Sequence, residues 1–397
     1  MLVPKLRFKE FKNEWNEITL KKLLSFKNGI NGDKDSYGYG IKYISVGDIL
    51  NNTYITYDKI KGLIDINDKT LKENSVEYGD MVFQRSSETF NDIGQANVYL
   101  DKKQIATFGG FVIRGKKIGN YNPLFFNYLL KSPCNRKKVI VKGAGAQHYN
   151  ISQEELEKIK VNFTVEKEQV KIANLFYSLD KKIELQKQKI EALKIYKTGV
   201  CQKLFQSIKD DKTTFKMQIS KFLKERKIYS EKGLEYPHVT LSKDGILDKS
   251  DRYNRDFLVM SNNKEYKITL LNDLCYNPAN LKFGVICINE YGSAIFSPIY
   301  VTLEINPNIM DVSFCKYYFT RIDFINKVRK YEQGTVYERM SVNVEDFLKH
   351  TDVFPCLENQ RKIAKILSNL DRKINLQKNT LNNLNILKKS LLQQMFI

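Results

Sequence analysis

Two stretches of this chain carry apolar residues in alternating steps of four and three, the spacing of a helix that buries one narrow stripe. No proline interrupts either stretch. At 1.5 Å per residue, about 36 residues would form a rod of about 55 Å. The pattern therefore predicts two long helices that pack as a coiled coil. The stripe residues are Ile172, Phe176, Leu179, Ile183, Ile190, Leu193, Val200 and Leu204 in the first stretch, and Ile363, Leu367, Leu370, Ile374, Leu381, Leu384, Leu391 and Met395 in the second.

The two stretches are copies of one another. Residues 169–205 and 360–396 align without a gap at an offset of 191, with 16 identities in 37 positions. The same offset places Gly143 on Gly334, so about half of the chain is duplicated, a unit too long for a solenoid repeat. We therefore expect four segments: a globular half (1–165), a helix (166–205), a second globular half (206–356) and a second helix (357–397).

Each stripe contains one glutamine near its middle, Gln186 in the first helix and Gln377 in the second. The midpoints of two helices meet when the helices run antiparallel. We therefore predict an antiparallel coiled coil with pseudo-two-fold symmetry, in which Gln186 lies near Gln377 and the polar pair fixes the register. The alternative is two partly exposed glutamines that do not touch.

The rest of the chain shows short apolar runs separated by Gly and Asn, which is typical of short strands and turns. The fold class is therefore α+β, with two α/β halves joined by two long helices. The predicted strands are 41–46, 80–83, 98–100 and 108–113 in the first half, and 239–241, Leu274–Tyr276 and two strands within 283–303 in the second. The predicted short helices are Pro123–Lys131, one capped by Ser152, 311–331, and one that begins at Asn343.

The composition favours a polyanionic partner. Lys and Arg number 65 against 45 Asp and Glu, a net charge of +20, which suggests nucleic acid first and an anionic membrane surface second. Residues 169–205 contribute +5 and residues 360–397 contribute +7, either as solvated faces or as surfaces for an acidic protein or DNA. The chain shows no transmembrane or signal segment and no CxxC pair among its six cysteines, so we expect a cytoplasmic protein without a metal site or disulfides.

Motifs of common catalytic sites are missing from the sequence. It has neither a GxxxxGK[ST] phosphate loop nor a GxSxG nucleophile turn. The run Asn277-Pro-Ala-Asn280 lacks the second proline and the aromatic residue of an amino-methyltransferase motif. Asp346 and Lys349 could imitate part of a nuclease metal site, but they belong to a predicted short helix, where solvated charges are usual. We therefore expect a non-catalytic binding protein that holds no cofactor of its own.

Polar loops at the ends of strands and helices carry the side chains suited to reading DNA, because Arg, Asn, Gln and Ser contact base edges while Tyr and Lys often contact the backbone. Ordinary solvated loops are the alternative. The candidates fall into three clusters: Gln84, Arg85, Ser86 and Ser87; Gln147, His148, Tyr149 and Asn150, with their repeat equivalents Thr335, Tyr337 and Arg339; and Asn277 with Asn280.

The order of these elements resembles the specificity subunit of type I restriction–modification systems. The resemblance rests on the strand Gly79-Asp-Met-Val-Phe83 followed by Arg85-Ser86, on the segment from Gly143 to Ser152, and on Glu168-Gln169 at the start of a long helix. The second half departs from the pattern, with Asn272-Asp273 for Gly-Asp and Asn359-Gln360 for Glu-Gln.

The resemblance implies that each half is a target recognition domain that reads one part of a bipartite target in double-stranded DNA. It also implies that the paired helices are a spacer and a docking surface for two methyltransferase subunits, which use S-adenosylmethionine. Restriction subunits would cleave unmodified DNA with ATP and Mg²⁺. Two alternatives remain open from the residues alone: a fused or stand-alone DNA methyltransferase or nuclease, and a coiled-coil scaffold with two peptide-binding domains.

Overall fold

The computed structural model of the chain describes residues 2–145, 148–208, 211–230, 236–243, 245–249, 265–334 and 340–397. The chain divides into two units: unit 1 is Met1–Lys189 with Gln377–Ile397, and unit 2 is Ile190–Leu376. Each unit therefore combines one globular half with a segment of each long helix. The four-segment division predicted above, with boundaries at 165, 205 and 356, stays a prediction.

Unit 1 alternates short strands with short helices before the first long helix. Its strands are β1 (Asn16–Thr19), β2 (Leu24–Asn28), β3 (Tyr37–Ile44), β4 (Gly62–Ile64), β5 (Met81–Gln84), β6 (Ser86–Ser87), β7 (Ala96–Val98), β8 (Thr107–Phe108), β9 (Val112–Lys117), β10 (Tyr149–Asn150) and β11 (Lys160–Phe163). Its helices are α1 (Val46–Asn51), α2 (Asp68–Glu73), α3 (Pro123–Lys131), α4 (Pro133–Ile140), α5 (Gln153–Glu157) and the start of α6 (Glu166–Ser207).

The central sheet of unit 1 is antiparallel with the strand order β2-β9-β5-β7, and a second sheet has the order β4-β3-β8. Strand β5 is buried on both faces: Met81 and Phe83 join the main hydrophobic core, whereas Val82 joins a second core on the opposite face. This double burial explains why β5 reads as a continuous apolar run rather than an alternating one.

Unit 2 repeats this plan. Its central sheet has the order β13-β21-β18-β19, and β18 divides its side chains between two cores as β5 does. The strands are β12 (Phe215–Gln218), β13 (Leu223–Glu225), β14 (Tyr229–Ser230), β15 (Val239–Ser242), β16 (Gly245–Asp248), β17 (Tyr266–Thr269), β18 (Leu274–Tyr276), β19 (Ile286–Ile288), β20 (Ala294–Phe296), β21 (Val301–Ile305) and β22 (Thr351–Phe354). The helices are α7 (Val312–Phe319), α8 (Ile322–Val328), α9 (Val344–Lys349) and α10 (Leu357–Gln394).

The turn that leads into the central strand is the same in both units, although its sequence differs. Gly79 has a φ of 93° and Asn272 has a φ of 73°, so both adopt the left-handed conformation. Asn tolerates this conformation better than most residues with a side chain. The next residue, Asp80 or Asp273, accepts a hydrogen bond from the main chain three residues earlier. The departure from Gly-Asp therefore preserves the turn.

Several predicted elements have different limits in the structure. Helix α3 spans the predicted Pro123–Lys131, but the predicted helix 311–331 is split into α7 and α8 because Arg321 is extended and stacks over the rings of Phe205 and Tyr318. The run 108–113 contains a turn between β8 and β9, and 283–303 contains parts of three strands rather than two. Within the described residues, none of the helices has the combination of length and apolar character needed to cross a bilayer.

The long helices pack along the predicted stripe, whose residues are all buried or half-buried. In unit 1, Nε2 of Gln186 donates to Oε1 and to the main-chain oxygen of Gln377, at 2.9 Å each. The alternative of two glutamines that do not touch is therefore wrong, whereas their role in fixing the register stays a prediction. The two helices run antiparallel in unit 1, since Asp180 pairs with Lys388 whereas Gln186, later in the first helix, pairs with Gln377, earlier in the second. In unit 2, Lys197 pairs with Asp371.

Two lysines, Lys197 and Lys388, also occupy stripe positions, and the sequence pattern missed them. Each binds the aspartate of the facing helix, at 2.6 Å to Asp371 and 2.5 Å to Asp180. A tyrosine hydroxyl from the globular half donates to the same aspartate: Tyr317 to Asp371 at 2.8 Å and Tyr128 to Asp180 at 2.6 Å. We call each set the Tyr–Asp–Lys clamp.

A buried glutamine fastens the start of each long helix to the globular half. Gln169 accepts a hydrogen bond from the main-chain N–H of Asn122 at 2.9 Å and donates to the carbonyl of Thr164 at 2.7 Å. Gln360 makes the same two contacts in unit 2, with Asp311 and Pro355. The duplicated sequence thus produces duplicated scaffold contacts.

Candidate nucleic-acid interface

The structure brings the first two predicted clusters together in unit 1, although 64 positions separate Ser86 from Asn150. Ser86 pairs with Asn150, and Ser87 with Tyr149, in the two-stranded sheet of β6 and β10. The Ser86 hydroxyl also donates to Oδ1 of Asn150 at 2.5 Å. Asn150 and His148 are exposed. A short β-ribbon therefore presents hydroxyl, amide and imidazole groups at one edge of the unit.

Arg85 connects this ribbon to the turn between β8 and β9. Its Nη1 donates to the carbonyl of Gly110 at 3.3 Å, and its main-chain N–H donates to the carbonyl of Phe111 at 2.8 Å. Phe111 is 66% exposed, which is unusual for an apolar residue of this size. Sequence reasoning missed Phe111; an aromatic residue directly after Gly109-Gly110 was the available signal.

Two members of the first cluster face inward. Gln84 is buried, and its Nε2 donates to the carbonyl of Ser86 at 2.9 Å. Its Oε1 finds no hydrogen-bond partner within the described residues. Ser87 is also buried and accepts a hydrogen bond from the N–H of Thr89 at 3.1 Å. These two side chains shape the loop from within, which distinguishes them from the exposed Asn150.

Arg136, on α4, supports the loop that follows the ribbon. Its guanidinium donates to the carbonyls of Asn91, Ile93 and Gly94 at 3.0, 2.7 and 2.8 Å. Burial lowers the pKa of Arg136 to about 10, with the nearby charge of Asp92 opposing the shift. The side chain is therefore a cation held by main-chain carbonyls, and it fixes the path of the chain between β6 and β7.

The third cluster lies at the end of β18 in unit 2. Asn277 is buried, and its Oδ1 accepts hydrogen bonds from the main-chain N–H groups of Ala279 and Asn280, at 3.1 and 3.3 Å. Asn280 is exposed. Asn277 therefore closes the turn that presents Asn280, as an Asx turn does.

The remaining candidates, Gln147, Thr335, Tyr337 and Arg339, lie outside the described residues. The backbone around them corrects one detail of the repeat. Gly145 and Gly334 share the left-handed conformation, with φ of 139° and 147°, and each directly follows a residue that exchanges two main-chain hydrogen bonds across the loop. Gly334 is therefore the equivalent of Gly145 rather than of Gly143, and the second loop is two residues longer.

The chemistry of these residues is that of recognition. Hydroxyl and amide groups donate or accept hydrogen bonds at base edges, and guanidinium groups donate them to base edges and phosphates. Within the part of the chain that the structure describes, no group of three or more His, Cys, Asp or Glu side chains has the arrangement of a metal site.

The family model and a sequence relative both indicate the same protein family. The model of the type I restriction modification DNA specificity domain matches residues 12–195 and 248–385, which is most of the chain. A relative from Methanocaldococcus jannaschii, named as the specificity subunit of the type I restriction enzyme MjaX, is 24% identical over 401 residues, with 93% of this chain and 89% of the relative covered.

Two solved structures share the fold. The S subunit of a type I restriction–modification system from M. genitalium has a TM-score of 0.56 and 17% identity, over 100% of this chain and 99% of that chain. A chain from work on complex assembly and conformational transition of the type I R-M system has a TM-score of 0.53 and 10% identity, over 95% and 96%. This chain thus belongs to the type I restriction–modification DNA specificity family: it is a specificity subunit, the non-catalytic component that recognises DNA for the methyltransferase and restriction subunits.

Proposed function

We propose that each globular half, 1–165 and 206–356, reads one half of a bipartite target in double-stranded DNA. The observation that carries the proposal is a shared scaffold with different loops. Both units contain the Tyr–Asp–Lys clamp and the glutamine contact. At the end of the central strand, however, unit 1 carries Arg85-Ser86 and unit 2 carries Asn277 and Asn280. The same scaffold contacts, combined with different loop residues that contact bases, suit the recognition of two different half-sites.

Within this proposal the exposed and half-buried residues of the interface contact DNA, and the buried ones hold them in place. Arg85, Ser86, His148, Tyr149 and Asn150 would read the first half-site, and Asn280 would contribute to the second. Gln84, Ser87 and Asn277 would preorganise the loops, because their side chains are engaged inside the protein. Gln147, Thr335, Tyr337 and Arg339 remain candidates from the sequence.

The helices 166–205 and 357–397 would separate the two halves and offer the same surface to two copies of one partner, since their sequences are duplicated. We assign that partner as the methyltransferase subunit, which would supply S-adenosylmethionine and methylate adenine. Restriction subunits would join the complex and use ATP and Mg²⁺. The complex would act on DNA in the cytoplasm.

Methylation mapping tests the proposal. The full chain is co-expressed with its methyltransferase subunit, and modified adenines are mapped on genomic DNA. We expect a single bipartite motif. The variant Ser86→Ala/Asn150→Ala should relax one half of the motif, and Asn280→Ala should relax only the other half, so each variant is the control for its partner. A motif that responds in both halves to either variant, or in neither half to both variants, contradicts the assignment.

A further inference from the structure

A cleft of about 360 Å³ opens in unit 1 next to the candidate interface. It is joined to the first cluster through Gln95, whose carbonyl accepts a hydrogen bond from the main-chain N–H of Gln84 at 2.8 Å. The cleft is lined by both polar and apolar residues, among them two lysines. Its lining residues are Ile49, Leu50, Asn51, Asn52, Thr53, Gln95, Ala96, Tyr128, Lys131 and Lys388.

The positive charge of Lys131 is only partly balanced by its surroundings. Its Nζ donates to the carbonyl of Thr53 at 2.8 Å, and that carbonyl also accepts a hydrogen bond from Asn127. Among the residues described, no carboxylate lies within ion-pair distance of Lys131, and the nearby Asp180 is paired with Lys388. Burial and then repulsion by Lys388 lower the pKa of Lys131 to about 7. An anion in the cleft would remove this deficit.

The second unit shows that the scaffold does not require Lys131. Helices α3 and α7 align through Tyr128 and Tyr317, which make the same contact in the two clamps. This alignment places Thr320 at the position of Lys131, and the Thr320 hydroxyl simply donates to the carbonyl of Lys316 at 2.8 Å. The Tyr–Asp–Lys clamp is complete in unit 2 without a second lysine.

This difference between the halves indicates the class of ligand. A partner that binds both halves in the same way, such as two copies of one subunit, would need the site twice. A half-site of DNA contacts only one half, and its backbone position differs with the sequence that is read. Lysine and amide side chains are typical donors to phosphate oxygens. A DNA phosphate is an anion that fits a site present in only one half.

We propose that this cleft binds a phosphate of the DNA backbone beside the first half-site, through Lys131 and Lys388. Asn51, Asn52 and Gln95, which carry amide side chains, also line the cleft. This inference rests on the proposed function, because it assumes that unit 1 reads DNA at the neighbouring ribbon. The contact sets the position of the DNA and carries no sequence information.

The salt dependence of DNA binding tests the inference. Binding of a duplex with the mapped target is measured for the complex of the full chain and its methyltransferase subunit. Lys131→Gln should weaken binding about tenfold. It should also lower the slope of log K against log salt by about one, the value for one phosphate contact, while the methylated motif stays the same. Lys131→Arg should keep the slope. Lys189→Gln removes an exposed lysine from outside the cleft and should change neither quantity.

Three results would overturn the inference. The first is an unchanged slope and affinity in Lys131→Gln. The second is loss of the methyltransferase subunit on co-purification with an unchanged DNA slope, which would identify a protein carboxylate as the anion. The third is that the control Lys189→Gln weakens DNA binding and lowers the slope as much as Lys131→Gln does. If Lys131→Gln unfolds, Lys131→Met gives the same comparison with a side chain of similar length. A wild-type complex that methylates no genomic site would count against the proposed function instead.

Discussion

Gln186 donates hydrogen bonds of 2.9 Å to the side-chain and main-chain oxygens of Gln377, its own copy in the duplicated sequence. The neighbouring stripe residues Ile183 and Ile190 are apolar and buried. A different register would bury each amide against apolar side chains without a partner. We therefore expect the pair to disfavour shifted packings of the two helices, at the expense of some stability in the correct one.

The first prediction follows from this pairing. Gln186→Leu leaves the half-buried amide of Gln377 without its side-chain partner and should lower the free energy of unfolding by about 1 kcal/mol. Gln186→Leu/Gln377→Leu replaces the polar pair by an apolar one and should be at least as stable as the wild type. Urea unfolding of both single variants and the double variant measures the coupling. Losses that simply add in the double variant would contradict the role of the pair.

The second prediction compares the two clamps. Asp180 is 10% exposed and Asp371 is 30% exposed, each measured at the side chain, although both bind one tyrosine and one lysine. Asp180→Asn should therefore cost about 1–3 kcal/mol, because it leaves Lys388 less compensated in the more buried environment. Asp371→Asn should cost less, about 1 kcal/mol or below, because the Asp371 carboxylate is more exposed and solvent screens its ion pair. Thermal unfolding of the two variants provides the comparison, and equal losses would count against this account of burial.

The long helices could be predicted from the sequence because their stripe has a period that needs no tertiary information. The clamp lysines could not, since Lys197 and Lys388 have polar side chains that a search for apolar residues passes over. Their positions follow the same alternating spacing between apolar neighbours. Asp180 and Asp371 occupy equivalent positions in the repeat. A search that allowed one charged residue in each stripe, and that looked for an oppositely charged residue repeated in the other helix, would have found both lysines.

The candidate interface was predicted as clusters but not as an arrangement. Ser86 and Asn150 pair across a long sequence separation, which local patterns do not encode. Burial of Gln84 and Asn277 depends on where the main chain turns, so residue type alone suggested contact with DNA where the structure shows internal hydrogen bonds. The departure at Asn359 has a physical reason as well, since its amide binds Asp211 at 2.8 Å, whereas Glu168 binds Arg7.

A third prediction concerns the buried glutamines. Gln169 and Gln360 each accept a main-chain hydrogen bond and donate to the carbonyl of Thr164 or Pro355, respectively. Gln169→Glu keeps the shape but removes the donor that faces Thr164, so it should lower the free energy of unfolding by about 2–4 kcal/mol. Gln360→Glu should do the same, because it faces Pro355 in the same way. Denaturant unfolding of each variant at neutral pH measures the loss, and a neutral effect at either position would contradict the equivalence.

The fourth prediction is a pH dependence of stability that originates at Lys131. The folded pKa of about 7 lies below the usual value of 10.5, so between these values the unfolded chain binds more protons than the folded one. Stability contributed by this residue therefore rises with pH across that window. The titratable groups near it are Lys388, Asp180 and Tyr128, and a substitution of Lys131 leaves all three in place. Burial and then Asp180 raise the pKa of Tyr128, which keeps this side chain neutral.

Lys131→Met removes the titrating group and leaves its neighbours in place. The difference in urea midpoint, wild type minus variant, should increase as the pH rises from about 7 to about 10. Far-UV circular dichroism at each pH reports the transitions. A difference that stays constant, or that decreases over this range, would show that Lys131 is protonated in the folded protein throughout.

The fifth prediction links stability to specificity through Arg136. Its guanidinium reaches three carbonyls of the loop after the β-ribbon, which a lysine ammonium cannot do with the same geometry. Arg136→Lys should loosen residues 88–94 and relax the first half of the methylated motif, while the second half stays intact. Lys137→Ala, which truncates the exposed neighbour on the same helix, is the control and should leave both halves unchanged. Genomic methylation mapping separates these outcomes. A positioning role requires the two halves of the motif to respond differently. Loss of overall methylation without any relaxation of the motif would therefore mean that Arg136 supports the fold alone.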